Sequence, residues 1–196
     1  MKKLNKKQKG RNKPKINEGS YSFVVGNGTS RKDLDLTQIK DYGTVIACNW
    51  FFKKEFHPDI LVCSDEPITR SMYKVHDSYI KNRHFYTWFP KPGKGGKKPT
   101  CPEKFSAGGL STYIACDVVQ SKKVFLIGMD FFGFGSKNKM NNGKLNNMYE
   151  GEKHYLKPDE NRDNPAPTYR NWQRRFEWIM RNFPEVDFYH VNPFDG

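Results

Sequence analysis

The sequence predicts an α/β fold built on a mostly parallel sheet, and three observations carry that prediction. Short apolar runs alternate with amphipathic segments along the chain. Several of the runs are nearly continuous in Val, Ile, Leu and Cys, as strands buried on both faces must be. Strand after strand ends in glycine or a small polar residue, so the endings gather at the edge where an open parallel sheet binds its ligands.

A length of 196 residues suits one domain with a sizeable core. Of the formal charge of +13, +7 lies in residues 1–20, where eight lysines and arginines face Glu18 alone. Such a tail cannot fold by itself, so residues 1–20 are expected to be a disordered basic tail and 21–196 the folded domain. The tail either attracts a polyanion, with salt-dependent affinity, or serves as a solubilising extension. No stretch of about 18 apolar residues is present and the N-terminus is polar, so a cytoplasmic protein without a membrane span is expected. The four cysteines, Cys48, Cys63, Cys101 and Cys116, lack metal-ligand spacing.

The first strand, Tyr21 to Val25, runs into Gly26-Asn27-Gly28-Thr29-Ser30. The two glycines permit positive φ and close approach of a ligand. Thr29 and Ser30 offer hydroxyls and N–H groups at a helix start, an arrangement suited to anions, although one Gly-x-Gly is also found in plain strand-to-loop turns. Asp33-Leu34-Asp35 has the form of a metal-binding D-x-D, but acids at this point equally favour a helix start, and no metal is assigned.

Thr44 to Cys48 is the second strand and ends at Asn49; Asp59 to Cys63 is the third and ends at Ser64-Asp65. Pro67 opens a helix with Ile68, Met72, Val75 and Tyr79 on one face. His84 to Trp88 is the fourth strand. Residues 89–104, rich in Pro, Gly and Lys, read as a mobile basic loop, either a lid or a solvated insertion. Ser106-Ala107-Gly108-Gly109 then feeds a helix carrying Leu110, Ile114 and Val118, a second small-residue turn at a helix N-terminus.

The strand Val124 to Ile127 leads into Gly128-Met129-Asp130. Asp130, at a strand end, either orients the site or bonds N–H groups in its own turn. Residues 133–167 lack periodicity and are expected to be a long irregular excursion. The last helix carries Tyr169, Trp172, Phe176, Ile179 and Phe183 at spacings of three and four, with Arg170, Arg174, Arg175 and Arg181 as its solvated face. Phe188 to Val191 closes the sheet.

Taken together, the Val24 to Ser30 turn, Cys48-Asn49, the Ser106 to Gly109 turn and Leu126-Ile127-Gly128-Met129-Asp130-Phe131, followed by His154-Tyr155, resemble in order and spacing the bacterial sialyltransferases of the Campylobacter lipooligosaccharide type. Short phage and bacterial proteins share this general pattern. The resemblance spans residues 21–192 and implies a single Rossmann-like domain that transfers a sugar from a CMP- or UDP-linked donor to a hydroxyl without a metal or other cofactor. It implies that Asn27 contacts the donor phosphates, with Gly26, Gly28, Thr29 and Ser30 around it, and that Asn49 binds the nucleotide. It places Ser64 and Asp65 where a further asparagine stands, and matches Ser106, Ala107, Gly108 and Gly109 to the loop that cradles the nucleotide. Gly128 completes the donor site.

The chain departs from that pattern where chemistry is concentrated. Phe132 and Asn138 occupy the places of two tyrosines that bond the leaving phosphate, and a phenyl ring cannot donate such a bond. Pro158 stands at the place of the general-base histidine, four residues after His154. His154, helped by Tyr149 or Tyr155, with Asp130 orienting the site, is then the expected catalytic set, because an imidazole titrating near neutrality can deprotonate a hydroxyl. Lys94, Lys97, Lys98, Arg170 and Arg174 are expected to draw in an anionic acceptor such as DNA bearing a hydroxylated base, or a surface glycan. The alternatives are a protein of the same fold that binds nucleotides or nucleic acid without chemistry, and a magnesium-dependent pyrophosphokinase-like enzyme, for which no carboxylate cluster is evident.

Overall fold

A computed structural model describes residues 21–51, 57–76, 80–81, 84–131, 147–149 and 166–191, with side chains in the last helix from Asn171 onward. Six strands form one sheet: β1 (Tyr21–Val25), β2 (Gly43–Cys48), β3 (Ile60–Cys63), β4 (His84–Thr87), β5 (Lys123–Ile127) and β6 (Asp187–Val191). Every pairing is parallel, in the order β4-β3-β2-β1-β5-β6. From β1 the chain builds outward to β4, then crosses back to place β5 on the other side of β1. The C-terminal ends of β1 and β5 therefore flank the topological switch point, where a doubly wound sheet opens a crevice. This is a single Rossmann-like α/β domain.

The alternation of side chains along each strand divides the core into two layers. Val24, Ile46, Val62 and Leu126 face the helices α2 (Ala107–Asp117) and α3 (Ala166–Asn182). On the other face Leu61, Cys63 and Phe85 meet Ile68, Met72 and Tyr73 of α1 (Glu66–Val75), while Val25, Val45, Ala47 and Ile127 are covered by Leu36 and Phe51. Nine of the eleven residues of α2 are buried, because it is pressed between the sheet and α3.

Two details of the periodicity reading change. Val75, expected on the buried face of α1, is 63% exposed at the helix's last position, and Tyr73 is buried in its stead. Val118, placed with Leu110 and Ile114, caps the C-terminus of α2 and points out, whereas Val119 is fully buried. Tyr79 lies outside the described residues.

The lysine-rich loop is tied down where mobility was expected. Lys97 donates its N–H to the Phe85 carbonyl at 2.7 Å and accepts from the Thr87 N–H at 3.0 Å, bridging to β4 like a short extra strand. The Tyr73 hydroxyl accepts from the Lys91 N–H and donates to the Gly95 carbonyl, 3.1 Å each. Gly93, Gly95 and Gly96 take φ of +71° to +84°, the left-handed turns this path needs. The loop thereby covers the outer edge of β4, which would otherwise present unpaired backbone groups. The irregular excursion over 133–167 lies outside the described residues apart from 147–149 and the start of α3. No described helix is long and apolar enough to cross a membrane.

Candidate functional site: a crevice at the switch point

The turn after β1 lies alongside the turn after β5. Gly26 and Gly28 donate their N–H groups to the carbonyls of Ile127 and Gly128, 2.8 Å each. Neither glycine adopts positive φ; they are needed because a Cβ on Gly26 would strike the Gly128 carbonyl and Met129, and one on Gly28 would strike the Asp130 carboxylate. The positive φ, +63°, belongs to Gly128, whose bare Cα also leaves room for the Arg31 side chain.

Thr29–Arg31 is a single 3-10 turn, too short to be an anion-binding helix start. Ser30 gives both its N–H, at 3.1 Å, and its hydroxyl to the Asp130 carboxylate. Asp130 thus fastens the β1 turn to the β5 turn. Arg31 is 1% exposed and donates Nε to the Gly26 carbonyl at 2.7 Å and a terminal nitrogen to the Tyr149 hydroxyl at 3.0 Å. Its guanidinium also lies 5.1 Å from the centre of the Phe51 ring. The Met148 N–H bonds the Asn27 carbonyl at 2.8 Å, so residues 147–149 are held against the β1 turn.

Above these turns opens a crevice of about 600 Å³, within the range of small-ligand sites. One wall is Gly26, Asn27, Gly28, Gly128 and Asp130; a second is Asn49, Ser64, Asp65 and Glu66 at the ends of β2 and β3; a third is Ser106, Ala107 and Gly108 at the start of α2. The Ser106 hydroxyl does not cap α2, and no acid stands in its first turn. The N–H groups that open any α-helix have no intrahelical acceptor, so this end offers donors and a positive dipole to the crevice. Asn49 holds φ at +52°, a conformation asparagine tolerates better than most residues, and is 6% exposed. Its Oδ1 is buried and accepts no hydrogen bond from the described residues. An orphaned buried amide oxygen in a crevice wall costs free energy until a donor arrives.

Most of the residues expected at the donor site come together here: Gly26, Asn27, Gly28, Asn49, Ser64, Asp65, Ser106, Ala107, Gly108 and Gly128 all line the crevice, as does Asp130. Ser30 is buried behind the wall on Asp130, Thr29 lies in the same 3-10 turn without lining the crevice, and Gly109 turns inward under Phe105. Lys94, Lys97 and Lys98 are exposed on the loop beside β4 and do not line it; Lys97 sits over the Tyr86 ring. Arg174 is exposed, and its neighbour Arg175, assigned to the solvated face of α3, reaches the crevice instead. His154, Tyr155, Phe132, Asn138 and the Arg170 side chain lie outside the described residues.

The fourth wall was not anticipated. Trp88, Phe89, Phe105, Phe131, Trp172 and Phe176 give the crevice an aromatic side, with Lys104 and Arg175 as cations beside it. Lys104 sits 5.8 Å from the Phe89 ring centre, and Phe131 meets Phe176 edge to face at 4.5 Å. The periodicity of α3 marked Trp172 and Phe176 only as core residues, since core packing and a ligand wall demand the same spacing. Cys48 also borders the crevice, but burial pushes its thiol up to about 11, so it stands there as a neutral group. Among the described residues no three His, Cys, Asp or Glu side chains converge as metal ligands would.

No family model matches the chain, and no curated protein or solved structure matches it.

Proposed function

We propose that the crevice binds the nucleotide of a nucleotide-sugar donor and that the protein transfers the sugar to a hydroxyl acceptor. The observation that carries this reading is the pairing, in one crevice, of the uncapped N-terminus of α2 with the orphaned Oδ1 of Asn49. The first needs an anion and the second a hydrogen-bond donor. A nucleotide supplies both, phosphate at the helix end and a ribose hydroxyl or base N–H at Asn49. Lys104 and Arg175 add positive charge, and the aromatic wall suits a planar base or a sugar face. In the transfer, the bond from the sugar to the phosphate oxygen breaks as the acceptor oxygen bonds the sugar. The electron pair leaves on the phosphate, where helix N–H groups stabilise the developing charge, and a base takes the acceptor's proton. The resemblance to bacterial sialyltransferases offers His154 for that base.

One observation favours the alternative of binding without chemistry. The crevice carboxylates are already occupied: Asp130 receives Ser30, Asp65 receives the Ser64 hydroxyl at 3.2 Å, and Glu66 pairs with Arg70 at 2.5 Å. Calorimetric titration with CMP, UDP, GDP and ADP, in chelator and in magnesium, tests the binding. One nucleotide binding selectively in chelator is the expected result, and silence with all four would sink the proposal. Nucleotide release from the matching sugar donor then separates transferase from binder, with His154→Ala expected to lower turnover but not affinity.

A further inference from the structure

The face of the sheet opposite α2 and α3 carries an aromatic ladder that the crevice does not use. Phe23, Phe125 and Tyr189 stand in register on β1, β5 and β6. Their rings are stacked in sequence, Phe23 on Phe125 at 5.2 Å and Phe125 on Tyr189 at 5.0 Å, within 19° of parallel. Tyr21 packs its edge against Phe125 at 6.0 Å. The inner end of this pile joins the core beside Leu34, Leu36 and Ile39, but its outer end does not: Tyr21 is 43% and Tyr189 42% exposed. Since Phe125 occupies one face of Tyr189 and β6 is the last strand of the sheet among the described residues, the other face of that ring looks away from the sheet.

The charge around the ladder is basic. The Lys123 ammonium lies 5.8 Å from the ring centres of both Tyr21 and Tyr189, and Lys122 beside it is exposed. Residues 1–20, with +7 of the chain's +13, immediately precede Tyr21 in the sequence. Asp187, exposed and in register with Lys123, is an acid on the same face.

We propose that this face binds single-stranded nucleic acid, at a site distinct from the crevice. A stack of rings with an open end accepts another flat π-system, and a polyanion is what the lysines and the tail attract. Only an unpaired strand offers free base faces together with closely spaced phosphates. A base stacks on the outer face of Tyr189, and Lys123 and Lys122 take the adjoining phosphates.

The test is fluorescence anisotropy of labelled oligo-dT with the full-length protein. Tyr189→Ala is expected to weaken binding by about 5- to 150-fold, the range for losing one base–aromatic stack, and Tyr189→Phe to leave it unchanged. Lys123→Gln should reduce the salt dependence by about one phosphate contact, and Asp187→Asn should tighten binding. Because Tyr189 is exposed, a thermal melt of each variant shows whether the fold is intact. Saturating the crevice with a nucleotide, or replacing Asn49, should leave oligo-dT binding unaltered, so this site and the proposed donor site can fail separately. Unchanged affinity of Tyr189→Ala, or tighter binding of a duplex of the same length, would overturn the proposal.

Discussion

Asn49 is the residue at which stability and function pull apart most plainly. Its backbone is left-handed and its amide oxygen is buried without a donor, two unfavourable features at the lip of the crevice. Replacing it with glycine removes both at once. The lost orphan acceptor is worth about 1–3 kcal/mol, offset by about 0.5–1 kcal/mol for glycine's greater freedom when unfolded and by the small void left behind. Asn49→Gly is therefore expected to melt within a few degrees of the parent or above it, while losing at least about tenfold in affinity for the nucleotide the crevice prefers. Parallel melts and calorimetric titrations check this. A large loss of stability with affinity intact would make Asn49 a structural residue.

At the scale of elements, α2 connects the core to the crevice, and its first turn is the most informative place to intervene. A Cβ on Gly108 would meet the Met129 sulfur at 3.0 Å, and a thioether can give way. Gly108→Ala should gain from a few tenths to about 1 kcal/mol through helix propensity, and weaken nucleotide binding because the new methyl enters the crevice wall. A urea titration and a binding isotherm on the same sample read both effects. The inner strands were legible in the sequence because burial on both faces leaves nearly continuous apolar runs such as Thr44 to Cys48 and Ile60 to Cys63. The crevice was legible through its glycines and asparagines, since they end those runs. What escaped the sequence was long-range pairing. Nothing local says that Ser30 hands both of its donors to Asp130, one hundred residues away, or that Arg31 is buried against Phe51 and Tyr149. A lysine-rich loop gives equally little sign that Lys97 will bridge to β4, because the bond uses its backbone and leaves the side chain exposed.

For the whole molecule, two opposing titrations set the pH at which the fold is firmest. The chain carries +13 with a pI near 9.5, so raising the pH from neutrality relieves self-repulsion and stabilises the compact state, most strongly at low salt. The thiols act in the other direction. Burial pushes Cys48 and Cys101 up to about 11 and Cys116 to about 12, and lifts Cys63 well above its ordinary value. Below about pH 8.5 each thiol is protonated in both folded and unfolded chains and contributes no pH dependence. Above that, the unfolded chain loses thiol protons that the folded chain keeps, so stability falls as pH climbs toward the folded-state values. The limiting slope is about 1.4 kcal/mol per pH unit for each fully buried thiol, and smaller for the partly exposed Cys101. Three buried thiols at that slope outweigh screened surface repulsion once they engage. At low salt the urea midpoint should therefore rise from pH 7 to a maximum between about 8 and 9 and then drop. High salt should flatten the rise and leave the drop in place, because the drop originates in the core. Replacing Cys48 and Cys63 with alanine should lower the midpoint at pH 7 through lost packing and make the alkaline fall shallower. A fall of unchanged steepness in that double variant would assign the alkaline instability to Cys116 and to the tyrosines, of which Tyr73, Tyr86 and Tyr113 are also shifted upward by burial.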